Sequence, residues 1–170
     1  MTTGSPNAFL NEAETWPDGP AVMPVLFLGH GSPVYTLEDN SYTRAWRELA
    51  QQLPRPRAVL CVSAHWLTRG ATLVTTMPRP RTIHDFGRLD DRLFEVQYPA
   101  PGSPELAAAV IQELADRHFA GDTQGGLDHG TWTVLRHMYP QADVPIIQFS
   151  IDYNPPARFH YALGARLALL

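Results

Sequence analysis

Pro24-Val25-Leu26-Phe27-Leu28-Gly29-His30-Gly31 and, further along, Ala58-Val59-Leu60-Cys61-Val62-Ser63-Ala64-His65-Trp66 are short apolar runs that each close on a small residue and a histidine. Unbroken apolar runs of this length, bounded by Gly, Pro or Ser, read as strands buried on both faces. Between them, Asp39 or Asn40 can cap a helix on which Tyr42, Ala45, Trp46, Leu49 and Leu53 recur at the spacing of one buried face. Pro54 and Pro56 stop that helix. Strand, helix and strand in this order read as a parallel βαβ unit, and the unit sets the class as α/β.

Outward from this unit the alternation continues. Residues 71–76 read as a third strand, and residues 77–101, rich in Pro, Arg and Asp, as a long loop of functional rather than connecting character. Ser103 ahead of Pro104 and Glu105 starts a helix running through Leu106, Val110 and Leu114. Asp128 caps another that carries Trp132, Leu135 and Met138. A strand over 144–151 follows, and Asn154-Pro155 starts a last helix with Phe159, Leu163, Leu167 and Leu170 on one face. The expected fold is one α/β domain over residues 23–170, with a central, largely parallel or mixed β-sheet flanked by helices. Residues 1–22 lack apolar periodicity and read as a flexible N-terminal arm. The chain stops inside a good helical pattern, so the domain is expected to lack its C-terminal part.

Composition narrows the function. With 170 residues, 44% of them hydrophobic, the chain can bury one core. A net charge of -4 argues against nucleic acid, because neutralising a phosphate backbone demands a basic surplus. No apolar run approaches the ~20 residues of a membrane span, and no signal peptide opens the chain, so a cytoplasmic location is expected. Cys61, the lone cysteine, excludes an internal disulfide and reads as a small buried hydrophobe.

His30 and His65 each follow a core run, at the carboxyl ends where α/β sheets place ligands, and such placement can bring two imidazoles to one transition-metal ion. His118 and His137 near helix ends read as capping groups, His160 as structural, and Arg79 and Arg81 as candidates for a substrate carboxylate. Asp85 either orients His84 or caps a turn.

Five words then stand out in order: Gly29-His30-Gly31-Ser32-Pro33, Ser63-Ala64-His65-Trp66, Thr82-Ile83-His84-Asp85-Phe86-Gly87, Tyr98-Pro99-Ala100-Pro101-Gly102-Ser103-Pro104 and Asp128-His129-Gly130. Together they resemble the N-terminal two-thirds of the class III extradiol ring-cleaving dioxygenases, in the DOPA 4,5-dioxygenase branch. The resemblance implies a mononuclear non-haem site in which His30 and His65 are metal ligands. It implies that His129 is a catalytic histidine facing the substrate, and that His84 and Ser32 border the substrate. The implied cofactor is Fe2+ for turnover, with Zn2+ able to occupy the same site. The implied partners are a small aromatic diol, DOPA-like, and O2. The remaining ligand of the family has no match here, so the chain itself is expected to be catalytically impaired. Two alternatives stand beside this reading: a zinc-dependent hydrolase in which His30 and His65 hold a metal-activated water, and a catalytically incomplete metal-binding domain.

Overall fold

Ile146–Asp152 (β6) is the organising strand, and every residue in it except Ile151 is buried. The computed structural model describes residues 23–115 and 118–168. In that structure β6 lies between Val59–Thr68 (β1) and Thr72–Thr75 (β2), with Phe119–Asp122 (β4) outside β2, giving the order β1-β6-β2-β4. β1 pairs parallel to β6 and β2 parallel to β4, while β2 and β6 run antiparallel, so the sheet is mixed. Two further short strands, Arg81–Thr82 (β3) and Gly126–Leu127 (β5), form a separate parallel pair that ties the long loop over 77–101 to the segment just ahead of the helix at His129–Met138.

Strand alternation along β6 sends neighbouring residues to opposite faces, and each face has its own helix layer. Ile146 joins a core built from Trp46 of Ser41–Gln52 (α1) and from Trp132, Val134, Leu135 and Met138 of His129–Met138 (α3). Ile147 and Phe149 join the opposite core with Val74, Ala107 and Val110 of Pro104–Glu113 (α2), and Leu163 of Ala157–Leu167 (α4). The domain is therefore helices, sheet, helices, as the alternation of elements in the sequence requires.

Three helix starts lie where the sequence places them. Asn40 accepts from the backbone of Tyr42 and Thr43 while the Thr43 hydroxyl accepts from the Asn40 N–H, a reciprocal cap. Ser103 and Asp128 cap α2 and α3 through Leu106 and Thr131. The last helix starts at Ala157 with no side-chain cap, rather than at Asn154-Pro155. The last helix ends at Leu167; the arm over residues 1–22 and Leu170, which the sequence places on that helix, lie outside the described residues.

One expectation is corrected. Residues 23–31 form no strand and belong to no sheet, so the first βαβ unit does not form as expected. Exposure along the segment alternates: Val25 is 91% and Phe27 100% exposed, whereas Leu26 and Leu28 pack on the α1/α3 core. Only one side of the run is covered. The apolar run predicts burial on both sides, and the structure shows a strap covered on one side.

Candidate metal and substrate site

Three segments meet at the start of α3. The strap over residues 23–31 delivers His30, whose direction is set by Gly31 at φ +63°, a conformation that favours glycine. A Cβ on Gly31 would also come within 2.5 Å of the Tyr35 ring, so both the turn and the space require glycine. Ser32 then caps the short 3-10 helix Pro33–Leu37 through Val34 N–H, at 3.3 Å. The Ser32 hydroxyl, a candidate for substrate contact in the sequence, serves as a cap here.

His65 arrives by a different route from the one expected. It lies inside β1 rather than beyond its end. The β1–β6 register runs in step from Val59 to Val62, then breaks so that Leu67 pairs with Ile151, leaving Ser63-Ala64-His65-Trp66 opposite Ser150 alone. Such an irregularity re-aims side chains, and here it turns His65 toward α3. The close approach needs Gly130: a Cβ there would sit 2.8 Å from His65 Cδ2.

His129 opens α3. Its backbone N–H donates to Asp85 Oδ1 at 2.9 Å, and its ring Nδ1 lies 3.0 Å from the same oxygen. Beneath it, buried Gln148 knits the start of α3 to the sheet. Gln148 Oε1 accepts from Asp128 N–H at 3.1 Å and from the Thr131 hydroxyl at 2.8 Å, and Gln148 Nε2 donates to Asp128 Oδ2 at 2.6 Å.

The outcome is a group of three imidazoles. Ring centroids of His30 and His65 are 4.8 Å apart, His30 and His129 5.2 Å, and His65 and His129 4.0 Å. One nitrogen of each lies within 4.8 Å of the other two. His30 Nε2 and His65 Nε2 are 2.7 Å apart. Two nitrogens on one ion at ~2.0–2.2 Å would be roughly 3.0–3.5 Å apart, so the pair needs to open by only about half an ångström. Neutral imidazoles are borderline donors that accept either Fe2+ or Zn2+, so the residues present fit such an ion. Burial, with the neighbouring His65 and His129, lowers the His30 pKa below its ordinary value and keeps its ring neutral at physiological pH. Burial works against the charge of Asp85, but the His129 N–H groups outweigh it and hold the carboxyl below its usual range. His65 is exposed, His30 half-buried and His129 buried, so the group opens to solvent on the His65 side.

An aromatic wall adjoins the group. Phe86 meets the His129 ring edge to face at 5.6 Å and lies 5.2 Å from Phe94, which is exposed. His84 sits behind this wall, 5.8 Å from Trp132, with Nε2 donating to the Val96 carbonyl at 2.9 Å. Asp85 thus contacts His129 and not His84. His137, expected at a helix end near the surface, is buried: its Nε2 donates to the Tyr35 carbonyl, and Arg47 donates to its Nδ1. Gly130 stands in the Asp128-His129-Gly130 word without a role assigned to it, and Gln148 is not singled out in the sequence at all. A glycine one residue into a well-formed helix was the available signal for the first, and a glutamine in an otherwise apolar strand for the second.

Fold and site together define an α/β domain with a three-histidine group able to hold a metal ion beside an aromatic wall. The chain belongs to the family described as the catalytic LigB subunit of aromatic ring-opening dioxygenase, whose model matches residues 20–170. It is 54% identical over 149 residues to the 4,5-DOPA dioxygenase extradiol of Escherichia coli (strain K12), covering 87% of this chain and 55% of that protein. It is 38% identical over 151 residues to the protein of the same name from Beta vulgaris, covering 85% of this chain and 56% of the relative. The crystal structure of an uncharacterized Escherichia coli K12 protein superposes with a TM-score of 0.64 at 46% identity, over 78% of this chain and 49% of that one. The chain spans about half the length of the curated relatives it matches. Among the described residues, no helix is long and apolar enough to cross a membrane.

Proposed function

We propose that this chain carries the metal-binding half of an extradiol dioxygenase site that opens a catechol, DOPA-like in class, with O2. The observation that carries the reading is the convergence of His30, His65 and His129 from three separate segments onto one point beside Phe86 and Phe94. His30 and His65 hold the ion as neutral donors. When bound, the ion, Fe2+ for turnover or Zn2+ as an occupant, supplies the electronic link between the diol and O2 that neither achieves alone.

The chain's own residues supply the rest. Phe86 and Phe94 offer apolar and edge surfaces against which a flat aromatic ring can lie. The free nitrogen of His129 accepts a proton from a catechol hydroxyl as the diol binds and returns it to the opened product. The start of α3 favours negative charge nearby, which suits a ring that works beside anionic oxygens.

Anaerobic loading with ferrous ion, followed by O2 uptake with loss of catechol, tests the reading in a full-length family protein carrying these residues. His30→Ala and His65→Ala should lose metal and activity together. His129→Ala should keep its metal and lose roughly 10²- to 10⁴-fold in turnover. Loss of metal from His129→Ala would make it a third ligand, and hydrolysis by the zinc form without O2 uptake would replace the dioxygenase reading.

A further inference from the structure

We propose that Asp85 is a positioning residue that fixes the ring tautomer of His129, holding the proton on Nδ1 so that Nε2 presents a lone pair to the histidine group. Its consequence for catalysis rests on the extradiol reading; the tautomer itself does not.

The geometry leaves little choice. An ionised carboxylate has only acceptors, so a ring nitrogen 3.0 Å from Asp85 Oδ1 must carry a hydrogen to be bonded there. The carboxylate is anchored independently of the ring, because the same oxygen accepts the His129 backbone N–H at 2.9 Å. The ring cannot swing away: its side chain is 7% exposed, with His65 on one side at 4.0 Å and Phe86 on another at 5.6 Å between centroids. A purely helix-capping role is already filled, since Asp128 caps α3 through Thr131 N–H. The contact that remains unexplained by capping is the one to the ring.

Orientation of this kind has a defined result. With Nδ1–H committed to Asp85, Nε2 begins as a base and not as a donor. When a catechol O–H breaks and its proton forms a new N–H at Nε2, the resulting imidazolium stands against a carboxylate, which stabilises it. Returning that proton to the product restores the starting tautomer. The loop carrying Asp85 and the helix carrying His129 are far apart in sequence, so the pairing exists only in the fold.

Long-range nitrogen–proton NMR of the histidine rings in the metal-free 170-residue chain reads the tautomer directly, with the His129 signal identified by its loss in His129→Gln. The wild-type ring should carry its hydrogen on Nδ1. Asp85→Ala should shift the ring toward the Nε2–H form, and Asp85→Glu should retain the wild-type signature. An Nε2–H ring in the wild type, or an unchanged ring in folded Asp85→Ala, overturns the proposal; should Asp85→Ala not fold, the wild-type tautomer still decides. In the iron-loaded full-length protein, Asp85→Ala should lower kcat by about 10- to 100-fold with KM and metal content near wild type. Unchanged turnover would remove the positioning role. A tautomer that follows Asp85 in a protein that opens no catechol would instead sink the extradiol reading and leave the tautomer assignment standing.

Discussion

Replacing Gly130 with alanine separates the needs of the helix from the needs of the site. Gly130 lies in the first turn of α3, where alanine is the better helix former by up to ~1 kcal/mol. The added Cβ, however, would lie 2.8 Å from His65 Cδ2, 3.2 Å from Ser63 Oγ and 3.3 Å from Asp128 Oδ1. Carbon atoms settle at ~3.5–4.0 Å, so the contact with His65 is short by about 0.7–1.2 Å. Asp128 is held by Gln148 and by the helix, and Gly130 by the helix itself, so His65 must move. Because His65 is exposed, its ring can swing outward without opening a cavity. The expected cost to stability is therefore small, within about 1 kcal/mol, well below the 1–3 kcal/mol of a confined overpacked core. Metal binding cannot absorb the same shift, since ligand distances tolerate only about 0.2 Å. Gly130→Ala should therefore bind Zn2+ at least about tenfold more weakly by calorimetry, while urea unfolding of the metal-free chain stays close to wild type. Affinity within twofold of wild type, or a loss of more than ~3 kcal/mol without metal, would refute the reasoning.

Three further outcomes follow from groups around the site. Burial pushes the Cys61 thiol up to about 11, against a weaker opposing contact with the Thr131 hydroxyl at 3.3 Å, so a thiol reagent at pH 8 should react far more slowly with the folded chain than with the urea-unfolded one; equal rates would contradict that burial. His30 and His137 both titrate below 6.5 in the fold, chiefly through burial, so the unfolded chain takes up protons first as the pH falls past 6.5. Urea unfolding without metal should thus show stability that is full well above that value and declines as the pH falls through it; stability rising on acidification would reverse the sign. Gln148→Leu strips the buried Asp128 N–H and carboxylate of partners at 3.1 and 2.6 Å and should cost about 1–3 kcal/mol in thermal unfolding, with lower turnover because His129 rides on that helix start.

How much of this was legible in the sequence depends on how local each determinant is. The caps of α1, α2 and α3 are written in nearby residues, Asn40 with Thr43, Ser103 with Leu106 and Asp128 with Thr131; the sequence places the last two and narrows the first to Asp39 or Asn40, of which the structure uses Asn40. The strap over residues 23–31 was misjudged because an apolar run signals that side chains can be buried, not that both sides have something to pack against. Val25 and Phe27 have the same chemistry as Leu26 and Leu28, and only the position of the α1/α3 core distinguishes them. β4 was missed for a related reason. Phe119-Ala120-Gly121-Asp122 has weak strand propensity, and its ladder with β2 forms through pairings more than a quarter of the chain away.

The site divides along the same line, and the division says where its precision resides. His30, His65 and His129 could be singled out because each sits in a short word that a linear reading can find. What aims them is non-local in every case. A register break against β6 turns His65, the Tyr35 ring leaves room only for glycine beside His30, and a carboxylate from a distant loop holds His129. The donors could be kept and metal binding still weakened by filling Gly130 or by restoring regular β1–β6 pairing through Ser63–Trp66, and turnover lowered with the metal in place by removing Asp85. None of those changes touches a histidine. A test limited to histidine variants would therefore identify the donors and overlook the residues that make their convergence possible.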